Sequence, residues 1–236
     1  MSPFPSPSDA TPLVSCVISV FNGERYLAEA LDSALSQTYQ SVEVIVADDG
    51  STDRTAEIAA KYQGRVRYMY QEHKGAAAAK NMVLRSTKGE FVAFLDADDL
   101  WHPDKLALQV AAVHEKPEID LCFTNYRNFW VPEMRDEERK YRGHPLVSPE
   151  GAWSICTLLT HRSIFTRHGV FNEKLHGYEN ITWMLATARA GAVIKVLPET
   201  LMYRRIHNTN QSREQVLDDE FFAVVRAWLA YRRETM

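Results

Sequence analysis

VSCVISVFNGERYLAEALDSALSQTYQSVEVIVADDGSTDRT, residues 14–55, decides the fold of this chain. Residues 14–21 are a β-branched run of buried-strand length, closed by Asn22-Gly23, after which Leu27, Leu31, Ala34 and Leu35 fall on one helical face. A second run, 42–47, ends in Asp48-Asp49-Gly50-Ser51. Asp53 is then placed to cap a helix carrying Ala56, Ile58, Ala59 and Tyr62. Outward from this core the alternation continues. VRYMY (66–70) is a third strand, an alanine-rich helix follows Gly75 to about residue 85, and EFVAFL (90–95) runs into Asp96-Ala97-Asp98-Asp99. Pro103 suits the first turn of a helix reaching about residue 115. Strand and helix in strict alternation predict an α/β fold, a Rossmann-like, mostly parallel central sheet flanked by helices. Ligands of such sheets bind beyond the carboxyl ends of the strands, where residues 19–22, 48–51 and 96–99 fall.

The second half is less regular. Residues 119–129 read as a strand, and 130–149, polar and bounded by prolines, as an exposed loop, either a lid or a solvated insertion. Residues 153–160 can form a strand, a helix is expected over 180–190 with Gly191 ending it, and 193–196 and 201–206 read as two short strands. A terminal amphipathic helix lies within 213–236. Its apolar residues Phe221, Phe222, Val225, Trp228 and Leu229 suit packing on the same domain, a membrane surface or a second subunit. Residues 1–12, rich in Pro and Ser, read as a flexible arm.

With 236 residues, the chain has room for one large domain, alone or with an appendage. Lys and Arg total 27 against 31 Asp and Glu, a net charge of -4 that argues against nucleic acid as a partner. Cys16, Cys122 and Cys156 form no CxxC or Cys/His cluster, so they read as buried, reduced thiols in a reducing compartment. No secretory signal and no run long enough to span a bilayer is visible. A cytoplasmic protein is expected, soluble or peripheral at the inner face of the membrane.

The strand-end clusters carry the chemistry. Asp96 and Asp98 converge only if the chain turns between them. A turned pair can hold a hard divalent cation whose remaining positions go to diphosphate oxygens and water, although acidic turns also simply begin helices. Asp48 and Asp49 suit a base N–H or a ribose hydroxyl, or equally a turn with a helix cap. Ser19 and Phe21 offer a hydroxyl and an aromatic face at a third strand end.

Taken together, residues 14–55 and GAAAAKNMVLRSTKGEFVAFLDADDLWHPDKL (75–106) resemble family 2 of the inverting glycosyltransferases, which have the GT-A fold. The likeness is close over 14–106 and looser over 151–212. It implies one GT-A domain over 13–212, in which 13–115 hold a nucleotide-sugar donor, with UDP-sugars the usual class, and 116–212 serve the acceptor. It implies that Asp49 contacts the nucleotide base, with Ser19 and Phe21 lining the same pocket. Asp96 lies near the ribose or the metal, Asp98 ligates Mg²⁺ or Mn²⁺ directly, and Asp99 acts through water. Lys80 takes the diphosphate-contacting place often held by Arg, without its bidentate fork. Arg205 and His207, in RRIHNTNQS (204–212), resemble a late element that closes over the diphosphate, with His207 among the metal ligands.

The family's catalytic base is the Asp of a Glu-Asp pair opening a helix. Here that segment is LHGYENITWMLATARAG (175–191), which puts Glu179 on the Glu, Asn180 on the Asp, and Ala186 where an Arg often follows. An amide takes no proton at neutral pH. Glu179 is therefore the candidate base, with His176, Asp99 or His144 as alternatives and a donor-binding protein without transfer activity as a further reading. The expected reaction moves a sugar from a nucleoside-diphosphate sugar to a hydroxyl of a glycan, lipid-linked or protein acceptor, as in bacterial surface glycan synthesis. A homodimer stays open. A nucleotidyltransferase fits less well, because no glycine- and arginine-rich phosphate loop stands near the start.

Overall fold

A computed structural model describes residues 11–141, 153–175 and 177–210. The terminal helix, most of the N-terminal arm, His144 and His176 lie outside these residues.

The first half follows its apolar runs. β1 (Val14–Val20), β2 (Val42–Asp48), β3 (Val66–Tyr70) and β4 (Phe91–Asp96) alternate with α1 (Leu27–Leu35), α2 (Thr55–Ala60) and α3 (Ala76–Leu84). After β4 come a two-residue strand, β5 (Leu100–Trp101), and α4 (Lys105–Glu115). The second half contains β6 (Leu121–Trp130), α5 (Arg135–Tyr141), β7 (Leu159–His161), α6 (Ile164–His168), α7 (Glu179–Arg189) and β8 (Ile194–Ile206). One eight-stranded sheet runs β3-β2-β1-β4-β7-β6-β8-β5. Its first four strands are mutually parallel, β7 is antiparallel to both of its neighbours, and β6 and β8 are parallel. The expected mostly parallel α/β sheet is thus present.

Burial explains the parallel half. β1 and β4 are covered on both faces, so Val17, Ile18, Val92 and Leu95 lie fully buried beside Leu27 and Leu31 of α1. The three cysteines are free and buried, as expected. In α2 the predicted apolar face is narrower: Ala59 is buried but Ala56 is exposed, and Tyr62 packs from beyond the helix end.

Four expectations are corrected. The loop expected over 130–149 is structured at least to residue 141: β6 ends at Trp130, a 3-10 turn covers Pro132–Met134, and α5 follows. RDEERKY is built of strong helix formers, with acids in the first turn, bases in the last and an Asp136–Arg139 ion pair at 3.3 Å, all matched to the helix dipole. The strand expected over 153–160 is a 3-10 turn, Ile155–Thr157, whose start is held by Ser154 Oγ accepting from Cys156 N–H; only Leu159–His161 is strand. The two short strands after Gly191 are a single β8 that runs through Pro198. The proline is accommodated where the β6–β8 register shifts, between the Phe123–Val196 and Asn125–Thr200 pairs, so the regular ladder is interrupted at the residue that lacks a donor. The helix placed around Pro103 starts two residues later, at Lys105. No described helix is long and apolar enough to cross a membrane.

Candidate active site

The chain order reverses between β1 and β4: β2 and β3 lie on one side of β1, β4 on the other. That switch point opens a crevice at the carboxyl ends. Register fixes what lines it. Ser19 stands opposite Ala47 on one side and Asp96 on the other, and Val20 opposite Asp48.

At the β2 end, Asp49 is buried and its carboxylate is fully occupied. It accepts from Lys74 N–H (2.9 Å), Gly75 N–H (2.8 Å) and Gln71 Nε2 (2.7 Å), and His73 Nδ1 lies 2.8 Å away. Asp49 therefore shapes the loop after β3. That loop presents His73, whose ring lies 4.3 Å from the exposed Phe21 ring at a tilt of 31°. The neighbouring Asp48 is held by the Tyr68 hydroxyl (2.6 Å) and Ser51 N–H (2.8 Å). The Tyr68 hydroxyl is in turn pushed beyond the usual phenol range by burial and by Asp48.

At the β4 end the chain turns, with Asp99 N–H donating to Asp96 C=O. Asp98 Oδ2 then faces His207 Nε2 at 2.9 Å and accepts from Asn210 Nδ2 at 3.1 Å. Asp96 is directed elsewhere: its carboxylate, that of Asp99 and the Cys156 thiol place ligand atoms within 4.8 Å of one another. Burial, then the charges of Asp98 and Asp96, raises the Asp99 carboxyl well above its usual range; burial, then Asp96 and Asp99, raises the Cys156 thiol. Asp98 and His207 thus meet, while Asp96 stands apart from His207.

The donor chemistry of the Asp98–His207 pair fits a divalent cation. In this structure the two side chains are hydrogen-bonded to each other at 2.9 Å, so a cation bound by both would replace that bond. A carboxylate with an imidazole nitrogen suits Mn²⁺ better than the oxygen-seeking Mg²⁺.

Arg205 is committed within the protein. Its backbone N–H donates to Asp99 Oδ1 (2.9 Å), Nε to Asp98 C=O (2.9 Å) and Nη2 to Glu29 (2.8 Å), and the guanidinium lies 4.5 Å and 4.8 Å from the ring centres of Tyr26 and Phe129. In this state Arg205 braces the turn that carries Asp98. Lys80 is similarly engaged. Its buried Nζ donates to Glu179 Oε1 at 3.2 Å and to Asn180 Oδ1 at 2.9 Å, so one ammonium group gathers both residues of the Glu-Asn pair at the start of α7. Ser19 is half-buried beside Asp96.

Three contributors were missed by sequence reasoning. Asn210 joins Asp98 to the Arg205 carbonyl, His73 supplies the ring against Phe21, and Tyr26 touches both Arg205 and His207. None carried a local signal. Each owes its place to contacts between distant segments.

Residues 15–174 match the family model described as glycosyl transferase family 2. An uncharacterized glycosyltransferase of Rickettsia typhi is 34% identical over 182 residues, covering 72% of this chain and 57% of that protein. The chain therefore spans a little over half the length of such a relative. Among solved structures, S. aureus TarS 1-349 in complex with UDP-GlcNAc superposes with a TM-score of 0.73 at 22% identity, covering 93% of this chain and 66% of that one. The mannosyltransferase PcManGT from Pyrobaculum calidifontis, in complex with GDP-Man and Mn2+, gives 0.65 at 21%, covering 96% and 73%. At these identities the likeness shows the fold.

Proposed function

The chain belongs to glycosyl transferase family 2, and on that premise we propose that it is a metal-dependent, inverting glycosyltransferase using a nucleoside-diphosphate sugar, with UDP-sugars the leading donor class. The observation that carries this reading is the Asp98–His207 pair at the switch-point crevice, a carboxylate and an imidazole nitrogen that face each other at hydrogen-bond distance, 2.9 Å, and are both donors a divalent cation accepts. Fold neighbours that hold UDP-GlcNAc in one case and GDP-Man with Mn2+ in the other support the donor class and the cation.

Each group then has a task. The adjacent Phe21 and His73 rings offer an aromatic face to the base, and Asp49 fixes the loop bearing His73. Asp98 and His207 would hold Mn²⁺ or Mg²⁺, while Asp96 groups with Asp99 and Cys156. The cation, when bound, offsets the negative charge that grows on the departing diphosphate. The acceptor hydroxyl attacks the anomeric carbon from the face opposite the diphosphate, which inverts that centre. Glu179 takes the proton from that hydroxyl, since Asn180 cannot. Lys80, bonded to both, holds the Glu179 carboxylate in a fixed orientation.

A thermal-shift and calorimetric screen of UDP- and GDP-sugars, with and without Mn²⁺, tests the assignment. One donor is expected to stabilise the protein more strongly with the cation, and Asp98→Ala to abolish that increment. A cation effect of undiminished size in Asp98→Ala would sink the metal assignment.

A second reading has its own observation. Lys80 binds Asn180 Oδ1 more closely than Glu179 Oε1, and the family's base position is occupied by a neutral amide whose oxygen accepts from that ammonium. A donor-binding protein without transfer would bind the same nucleotide sugar in the screen and release no free nucleotide to water or to any sugar acceptor.

A further inference from the structure

Tyr26, at the start of α1, is 8% exposed, and its hydroxyl is buried without a hydrogen-bond partner among the described residues. Leaving a buried hydroxyl unpaired is costly, so such an atom calls for an explanation. Three other side-chain atoms share this condition among the described residues: Asn128 Oδ1 on β6 and the hydroxyls of Thr182 and Thr187 on α7. Tyr26 differs in its surroundings. Its ring lies 4.9 Å from the His207 imidazole, which faces Asp98, and 4.5 Å from the guanidinium of Arg205, which binds the Asp98 carbonyl. The Arg25 guanidinium approaches the same ring at 5.0 Å. Val131, Met134 and Ile206 close over it in a small apolar cluster.

The ring is therefore locked by packing while its hydroxyl finds no hydrogen-bond partner among the described residues. A phenylalanine would fill the same space without that cost. Arg25 and Arg205, ion-paired with Glu133 and Glu29, bring two cationic groups to within 5.0 Å of the ring, surroundings that admit an anionic oxygen as the partner for its O–H. We propose that the Tyr26 hydroxyl donates a hydrogen bond to a diphosphate oxygen of the bound donor, making Tyr26 a donor-binding residue beside the Asp98–His207 pair. This rests on the nucleotide-sugar reading. Donor binding supplies the partner that the described residues do not.

The substitution Tyr26→Phe deletes the one atom and preserves the ring contacts with Arg205 and His207. Three measurements are made on wild type and variant in Mn²⁺: the apo melting temperature, the affinity for UDP by calorimetry, and the affinity for uridine, which lacks phosphates, by ligand-observed NMR. The expected result is a variant that melts no lower than wild type, binds UDP about tenfold more weakly and binds uridine as wild type does. Equal UDP affinities overturn the proposal, as does an equal loss for UDP and uridine, which would mark an indirect effect on the base pocket. If wild type binds neither UDP nor GDP, the nucleotide-sugar reading falls and takes this inference with it.

Discussion

Lys80 sits where one side chain settles how the base position works. Its ammonium is 2% exposed and hydrogen-bonded to both Glu179 and Asn180. Taking one partner from a buried ion pair costs about 3–5 kcal/mol, so alanine at position 179 would confuse folding with catalysis. Glu179→Gln keeps an acceptor for Lys80 and removes the carboxylate. If Glu179 takes the acceptor proton, this variant should lose about 10²- to 10⁴-fold in kcat while donor affinity stays within about threefold. Steady-state kinetics with the donor found in the screen, together with its dissociation constant, separate the two. An unchanged kcat would move the base elsewhere.

At the scale of elements, the two loops that follow β1 and β2 act as one piece. Asn22 N–H donates to Ser51 Oγ, Gly23 N–H to Thr55 Oγ1 and Glu24 N–H to Asp53 Oδ2, while Thr52 N–H returns a bond to Asn22 Oδ1. This ladder explains the positive φ of 52° at Asn22, which a short amide side chain tolerates. Gly50 is the tightest point. Its φ is 86°, and a Cβ there would sit 2.7 Å from the His73 backbone nitrogen. Gly50→Ala is expected to cost about 1–3 kcal/mol of stability and to push His73 off the Phe21 ring. Urea unfolding reads the first effect; the second appears as weaker binding of uridine.

At the scale of the whole molecule, a buried cation gives the folding equilibrium a pH dependence. Lys105 is fully buried, its Nζ bonded to Gln109 Oε1 at 2.7 Å and 4.4 Å from the Trp101 ring centre, and burial pushes its amine down to about 7. The unfolded chain keeps that proton to about pH 10.4. Between these values the unfolded state binds more protons, so the Lys105 contribution rises with pH. Cys16 and Cys122, pushed up to about 12 and about 11, act oppositely above about pH 8.5, where the unfolded thiols ionise first. Comparison with Lys105→Met isolates the lysine. The variant's stability relative to wild type should be highest below pH 7 and fall by about 1.4 kcal/mol per unit from about pH 7 to 10; a pH-independent difference would mean that Lys105 stays charged.

The same scale shows what the sequence could and could not reveal. β1 to β4 were legible because each is an apolar run set between helical patterns, and the strand-end acids were legible from their positions. β8 was not: Pro198 reads as a break in one dimension and is accommodated only by a register shift against β6, a strand distant in sequence. Two-residue β5 is too short to leave a pattern. Lys80 was assigned to a diphosphate on its position, yet its contacts with Glu179 and Asn180 span 99 and 100 residues. No local window contains them.

The Asp98–His207 contact spans 109 residues, and its consequence concerns the order of assembly. Closing so long a loop is entropically expensive and yields nothing until the intervening strands are in place. A chain lengthening from its N-terminus possesses the carboxylate long before the imidazole exists. The crevice therefore brings Asp98 and His207 together only once β8 is in place beside β6, and on the proposed metal assignment cation affinity would require that docking.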